Sequence, residues 1–386
     1  MLMSNKQNNR RIGMKRLILT LCVLIPLISE SSLYSQWDKD GKSKIQIALL
    51  LDTSSSMDGL IDQARSQLWK IINELAVAQK DGKIPSLEVA LFEYGKSSIP
   101  MEEGHLRMVT SFSGNLDKIS AELYSLTTNG GDEYCGMVID KAVLNLKWDS
   151  NDNNLKLIFI AGNEPFDQGD VSYKEAVRKA KRKGIIVNTI FCGDGKTGIE
   201  TWWKDGADIS GGRYISIDQN IQVMTISAPQ DAELTRLGIE LNNTYIAYGS
   251  AGREKKMEQE KQDSNAAGKS ASIMAERSIS KASAHYDNTE WDIVDAASKG
   301  SVDLKKMTKD QLPEEMKNMN PEEREEYVSK LEKKREDIKN RINKLNEERR
   351  AYIEKVQKES ASENTLDSAI IKTVREQAEK KNFKFK

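Results

Sequence analysis

Chemistry in this chain concentrates at Asp52, Ser54 and Ser56, one carboxylate and two hydroxyls at alternate positions within the run KIQIALLLDTSSSMD, Lys44 to Asp58. One charged and two neutral oxygens on a short loop supply part of an octahedral cage for a small hard cation that keeps several of its waters. Mg²⁺ suits that donor set best, with Mn²⁺ as a substitute. The competing use of the same residues is helix capping, in which Ser and Asp side chains accept hydrogen bonds from the first helical amides. Capping needs one such residue, and here three stand at fixed spacing.

Those residues must be carried by a strand and a helix. The continuous apolar run Ile45 to Leu51 reads as a strand covered on both faces, and helical periodicity begins near Leu60. The loop between them would lie at the carboxyl edge of a sheet, where open α/β folds bind ligands. Further strand-like runs fall at Leu87 to Tyr94, Leu106 to Phe112, Leu155 to Ala161, Ile185 to Cys192 and Tyr214 to Ile217. Apolar residues at three- and four-residue steps predict helices over Leu60 to Ala78, Leu116 to Leu126, Met137 to Leu146 and Tyr173 to Lys183, the last stopped by Gly184. Strands alternating with helices imply crossover connections and hence a doubly wound, mostly parallel α/β sheet, with room for one antiparallel hairpin.

With D-x-S-x-S placed after a first buried strand, the region from about Lys44 to Tyr245 resembles the von Willebrand factor A domain family, whose metal-ion-dependent adhesion site begins with that motif. The resemblance implies a Rossmann-like sheet flanked by helices and a metal that captures a protein partner through an acidic side chain. It also implies two further loops. The family's second loop offers a Thr just before a helix; here the loop is Thr127 to Cys135, TTNGGDEYC, and counting back from Ile139, Ala142 and Leu146 puts Glu133 at that position, with Asp132 next. The third loop offers an Asp after a buried strand, where this chain reads Ala161, Gly162, Asn163, Glu164 and Pro165. A Glu gained in one loop can offset the Asp lost from the other. If Asp52 and Glu133 both touch the ion, its charge is largely neutralised and its pull on an incoming carboxylate weakens. Alternatively Glu133 binds through water oriented by Asn163, or the altered loops hold no metal.

Composition narrows the functional classes. The chain has 386 residues, 38% hydrophobic and 30% charged, enough for one domain of roughly 200 residues and something less compact. A net charge of -1 gives no reason to expect nucleic acid. The two histidines, His105 and His285, lie far apart in sequence with no Cys or Glu pattern near them, which speaks against a hydrolase triad or a zinc centre. The reading is therefore non-enzymatic; a metal-dependent hydrolase would lack an evident general base.

At the amino terminus, Arg10, Arg11, Lys15 and Arg16 precede an apolar run from Leu17 to Ile28 and then Ser29, Ser31, Ser32 and Ser35. This reads as a signal peptide over residues 1–35, cleaved before Gln36, with the mature protein periplasmic or extracellular and without a membrane span. Export makes a disulfide between Cys135 and Cys192 the favoured state of the two remaining cysteines, two free thiols being the alternative. Trp202 and Trp203, ahead of a Gly-rich turn, could form a binding surface or pack against the sheet. Gly195-Lys196-Thr197 has Ile190 where a phosphate-binding loop needs its first Gly, and reads as turn chemistry.

Beyond residue 248, Gly249 to Ser283 holds few large apolar side chains, so residues 249–313 are expected to be a solvated linker with a docking island at Tyr286 to Ala297. Residues 314–386 are expected to be a helical tail. In its long helix Val328, Leu331, Ile338, Ile342, Leu345, Tyr352 and Val356 form a heptad-like seam, interrupted by Arg335 and Arg349. Such a seam predicts a coiled coil or helical hairpin able to self-associate, or a helix packed on a neighbouring segment. The final stretch, Leu366 to Phe385, reads as a separate amphipathic helix that could fold back. The functional expectation is an exported protein-binding module using Mg²⁺ or Mn²⁺, or else an envelope scaffold assembled through the tail.

Overall fold

The computed structural model describes residues 43–217, 226–359 and 366–385; the signal-peptide expectation lies outside them. Six strands form the main sheet in the order β4-β3-β1-β5-β6-β7: β1 (Lys44–Asp52), β3 (Ser86–Tyr94), β4 (Arg107–Ser113), β5 (Leu155–Gly162), β6 (Ile186–Cys192) and β7 (Tyr214–Ile217). β1 runs parallel to both β3 and β5, and β5–β6–β7 continue parallel. Only β4 is antiparallel, forming the expected hairpin with β3. A two-residue strand β2 (Ala78–Gln79) pairs separately with β8 (Lys384–Phe385).

Alternation along each strand sends side chains to two cores. On one face Ile45, Ile47 and Leu51 of β1 and Leu157 and Phe159 of β5 pack with Trp69, Ile72 and Leu75 of α1 (Asp58–Ala76) and Ile119 and Leu123 of α2 (Leu116–Ser125). On the other, Ala48 and Leu50 of β1 and Ile158 and Ile160 of β5 meet α3 (Cys135–Asn145), α4 (Tyr173–Arg182) and, after the short α5 (Gly195–Glu200), Trp203 of α6 (Trp203–Ser210). The Trp pair is divided: Trp203 is buried, while Trp202 is 45% exposed and adopts φ 72°. Gly184, with φ 69°, follows the end of α4 as expected.

The expected domain limits need correction. α7 (Asp231–Asn242) lies within residues 44–248, yet Leu234, Leu237 and Leu241 pack with a helical half of the molecule, not with the sheet. The expected linker is folded into α8 (Gly252–Lys269), α9 (Ala271–Ala282) and α10 (Ile293–Ser298), and ten of the twelve residues of α9 are buried. The low apolar content misled because charged side chains do the packing, each against an opposite charge. Fully buried Arg277 bridges Asp117 of α2 at 2.5 Å and Asp263 of α8 at 2.9 Å, and buried Lys281 bridges Asp263 at 2.5 Å. The docking island does dock: Tyr286, Trp291, Ile293 and Val294 are buried.

Of the readings offered for the long helix, packing on neighbouring segments is the one observed. In α11 (Pro321–Glu359) Val328, Ile338 and Ile342 bury against this chain's own α7, α9 and α10 region. Arg335 and Arg349, which looked like interruptions, fasten the helix. Arg335 reaches Asp292 at 2.6 Å and Asp295 at 2.5 Å, and Arg349 reaches Asp231 at 2.7 Å and Glu276 at 2.5 Å. α12 (Leu366–Glu379) folds back onto the sheet half, as one reading of its amphipathic pattern allowed. Val374 and Ala378 join the α1 core, and Gln377 exchanges hydrogen bonds with Asn188 of β6.

Candidate metal-binding site

Asp52 ends β1 with no exposed surface, and the register that aligns it with Tyr94 places both at the carboxyl edge of the sheet. The chain then turns through Ser54 and Ser56 into α1. Helix capping does not account for this loop: the N-cap of α1 is Met57, without a side-chain cap hydrogen bond. The oxygens face one another instead. The Ser54 amide donates to Asp52 Oδ1 at 2.7 Å, and the Ser54 and Ser56 hydroxyls lie 3.2 Å apart.

The second and third loops converge on the first. Glu133 is buried, its amide donating to Gln168 Oε1 at 2.8 Å, and it does not cap α3, whose N-cap Tyr134 makes no side-chain cap bond. Gly95, with φ 75°, lies between the two carboxylates: a methyl group there would come within 2.7 Å of Asp52 Oδ1 and 2.8 Å of Glu133 Cγ. Asn163 Nδ2 donates to Ser56 Oγ at 3.1 Å. Gly162 stands next to Asp52, where an added methyl would lie 3.0 Å from Oδ2 and 2.5 Å from the Tyr94 hydroxyl. A side chain at position 162 would therefore fill the space beside the carboxylate.

The structure brings together Asp52, Ser54, Ser56, Glu133 and Asn163. Asp132 is exposed, and its carboxylate accepts from the Tyr134 hydroxyl at 3.0 Å. Glu164, which the motif comparison passed over, adds a third carboxylate to the field. Burial pushes the Asp52 carboxyl up to about 7; the Ser54 amide opposes this, and the Glu133 and Glu164 charges add to it. Burial also pushes Glu133 up to about 7, with Glu164 next in importance and the Ser54 hydroxyl opposing. The signal for Glu164 was its place next to Asn163 in the third loop.

Two atoms bear on whether a cation fits. Asp52 Oδ2 and Asn163 Oδ1 are buried and have no hydrogen-bond partner in the protein. Buried oxygens are normally satisfied, and an all-oxygen set of carboxylates, hydroxyls and an amide suits Mg²⁺ or Mn²⁺. Among the described residues no three His, Cys, Asp or Glu side chains are grouped to hold a metal by themselves. The two Ser hydroxyls would therefore be needed to complete the set.

The disulfide expectation is corrected: Cys135 and Cys192 are separate buried thiols. Cys135, at the start of α3, packs in one core, its Sγ 3.7 Å from the Tyr94 hydroxyl, whereas Cys192 points from β6 into the core on the opposite face of the sheet. Burial pushes both thiols above their ordinary range.

Residues 46–201 match the model of the von Willebrand factor type A domain, in agreement with the mostly parallel sheet flanked by helices. Similar solved structures include the conserved hypothetical protein BatB from Bacteroides thetaiotaomicron, at 14% identity over 45% of this chain and 90% of that one, with TM-score 0.34. The SpRpn10 VWA domain is 15% identical over 46% of this chain and 90% of that one, with TM-score 0.35. Proximal thread matrix protein 1 from the mussel byssus is 13% identical over 46% of this chain and 43% of that one, with TM-score 0.33. No curated protein matches the chain. No helix among the described residues is long and apolar enough to cross a membrane.

Proposed function

We propose that the chain is an exported, non-enzymatic protein-binding module that takes a divalent cation, Mg²⁺ or Mn²⁺, at Asp52, Ser54 and Ser56. The observation that carries this reading is the buried, unpartnered Asp52 Oδ2 beside two hydroxyls that cap no helix. In this account Asp52 supplies charge, the Ser54 and Ser56 hydroxyls hold the ion without neutralising it, and Glu133 balances the remaining charge directly or through water. Asn163 holds Ser56 in place through its amide and has its own oxygen free to orient a bound water. When bound, the ion supplies an electrophilic coordination position for an oxygen of the partner, an acidic side chain in the simplest case. Export rests on the basic and apolar pattern of residues 10–28.

The test is calorimetric titration of the full chain with Mg²⁺ and Mn²⁺ beside Asp52→Ala. Saturable binding that the substitution abolishes is the expected result. Binding unaffected by Asp52→Ala, or no binding by either protein, would overturn the metal reading. The alternative role for the helical half, assembly through its seam, has less to support it because Val328, Ile338 and Ile342 are already covered by the same chain.

A further inference from the structure

The turn that follows β3 belongs to none of the three loops identified by motif, yet it touches two of them. Glu93, the penultimate residue of β3, has no exposed surface. Its carboxylate pairs with Arg107, with Lys96 at 3.2 Å, and accepts from the Thr53 hydroxyl at 3.2 Å. Thr53 lies in the first loop, between Asp52 and Ser54. Lys96, itself only 8% exposed, donates from the same ammonium to Thr127 Oγ1 at 3.0 Å, at the start of the second loop. Backbone bonds run along the same seam: Thr53 N to Tyr94 O at 2.8 Å, Asn129 N to Thr53 O at 3.0 Å and Ser97 N to Gly130 O at 2.5 Å. Gly95, between these anchors, is the residue inserted between Asp52 and Glu133.

We propose that this turn, through the buried Glu93–Lys96 pair, fixes the spacing of the first and second loops and so sets the distance between Asp52 and Glu133 at the cation site. Lys96 is a positioning residue: it bonds Glu93 and Thr127 and is given no place among the cation's ligands. An ammonium suits the task because it can donate to a carboxylate and a hydroxyl at once. Its compact charge also meets Glu93 Oε2, while Arg107 pairs with Oε1. The proposal rests on the metal reading above for its functional consequence, and on the loop geometry for its structural one.

The test uses the full chain and the variants Lys96→Met, Lys96→Arg and Thr127→Val. Lys96→Met leaves Glu93 paired with Arg107 and bonded to Thr53, so the fold is expected to survive. Its dissociation constant for Mn²⁺ should rise about 10- to 100-fold, the usual effect of removing a group that orients ligands. Lys96→Arg should restore most of the affinity, and Thr127→Val combined with Lys96→Met should add little to the single change. Hydrogen exchange of the metal-free proteins gives a second readout: the Asn129 and Ser97 amides should lose protection together in Lys96→Met while amides of β5 do not. A lower thermal midpoint with unchanged Mn²⁺ affinity would make the pair merely structural and overturn the proposal. If the wild-type chain binds no Mn²⁺, the metal reading fails. Exchange at Asn129 and Ser97 then decides the clamp alone, unchanged protection in either overturning it.

Discussion

At the carboxyl edge of the sheet, Asp52 is fully buried with one oxygen unpartnered, whereas in the helical half Asp263, nearly as enclosed, is gripped by Arg277 and Lys281. Burial alone would raise both carboxyls. It takes Asp52 up to about 7, but at Asp263 the two cations reverse it and hold the group below its ordinary value. The partners differ in the same way elsewhere: Glu133 has the Glu164 charge near it, whereas Asp231 accepts from Arg349 Nε at 2.7 Å. Charge in the helical half is closed within the chain and holds elements together. At Asp52 and Glu133 the neighbouring charges that matter are other carboxylates, the reverse of those ion pairs.

Three experiments would break or sharpen that contrast. The largest effect is expected from Arg277→Met, which deprives Asp117 of its 2.5 Å partner and Asp263 of one of two. Breaking a buried pair from one side costs about 3–5 kcal/mol, read as a fall in urea unfolding free energy of the full chain. A loss under about 1 kcal/mol would show that this network is not holding α2, α8 and α9 together.

The next effect is a pH dependence of opposite origin. Asp52 and Glu133 are raised from 3.8 and 4.5 to about 7, so the folded metal-free protein binds more protons than the unfolded chain between those values. Their contribution to stability is fully present below about pH 4 and is lost as pH rises towards and through about 7. Thermal midpoints at matched pH should show the decline, Asp52→Asn should flatten it, and saturating Mg²⁺ should oppose it with affinity that climbs across the same window. A decline identical in Asp52→Asn would assign it to other groups.

The smallest effect is expected from Glu133→Thr. Removing one of two facing carboxylates should weaken Mn²⁺ binding by about tenfold while the loaded site binds acetate, a carboxylate probe, more tightly. Unchanged acetate binding would mean that Glu133 does not temper the ion's charge.

Much of the sheet half was legible because its signals are local. Continuous apolar runs marked β1, β5 and β6, and the β7 expectation, Tyr214 to Ile217, agrees with the strand observed. Asp52, Ser54 and Ser56 announced themselves by type and spacing, and counting along α3 brought Glu133 to the site. What escaped was carried by contacts across long stretches of chain. Arg277 and Asp117 are 160 positions apart, and Arg335 meets Asp292 across 43 positions, so no periodicity could show that these charges were buried partners. The turn at Gly95 was missed because its importance comes from Asp52 and Glu133 approaching it in space. The strands β2 and β8 have two residues each, too few for alternation to register.

The pairing of Lys384–Phe385 with Ala78–Gln79, together with Val374 and Ala378 against α1, also bears on the order of events in synthesis. A chain that emerges from its amino end presents α1 well before α12, whose Val374 and Ala378 join the same core. The core bearing α1 therefore closes only after α12 and β8 have been made, so its consolidation follows that of the sheet. Until then that core keeps an unfinished apolar flank where Val374, Ala378 and Phe383 will pack.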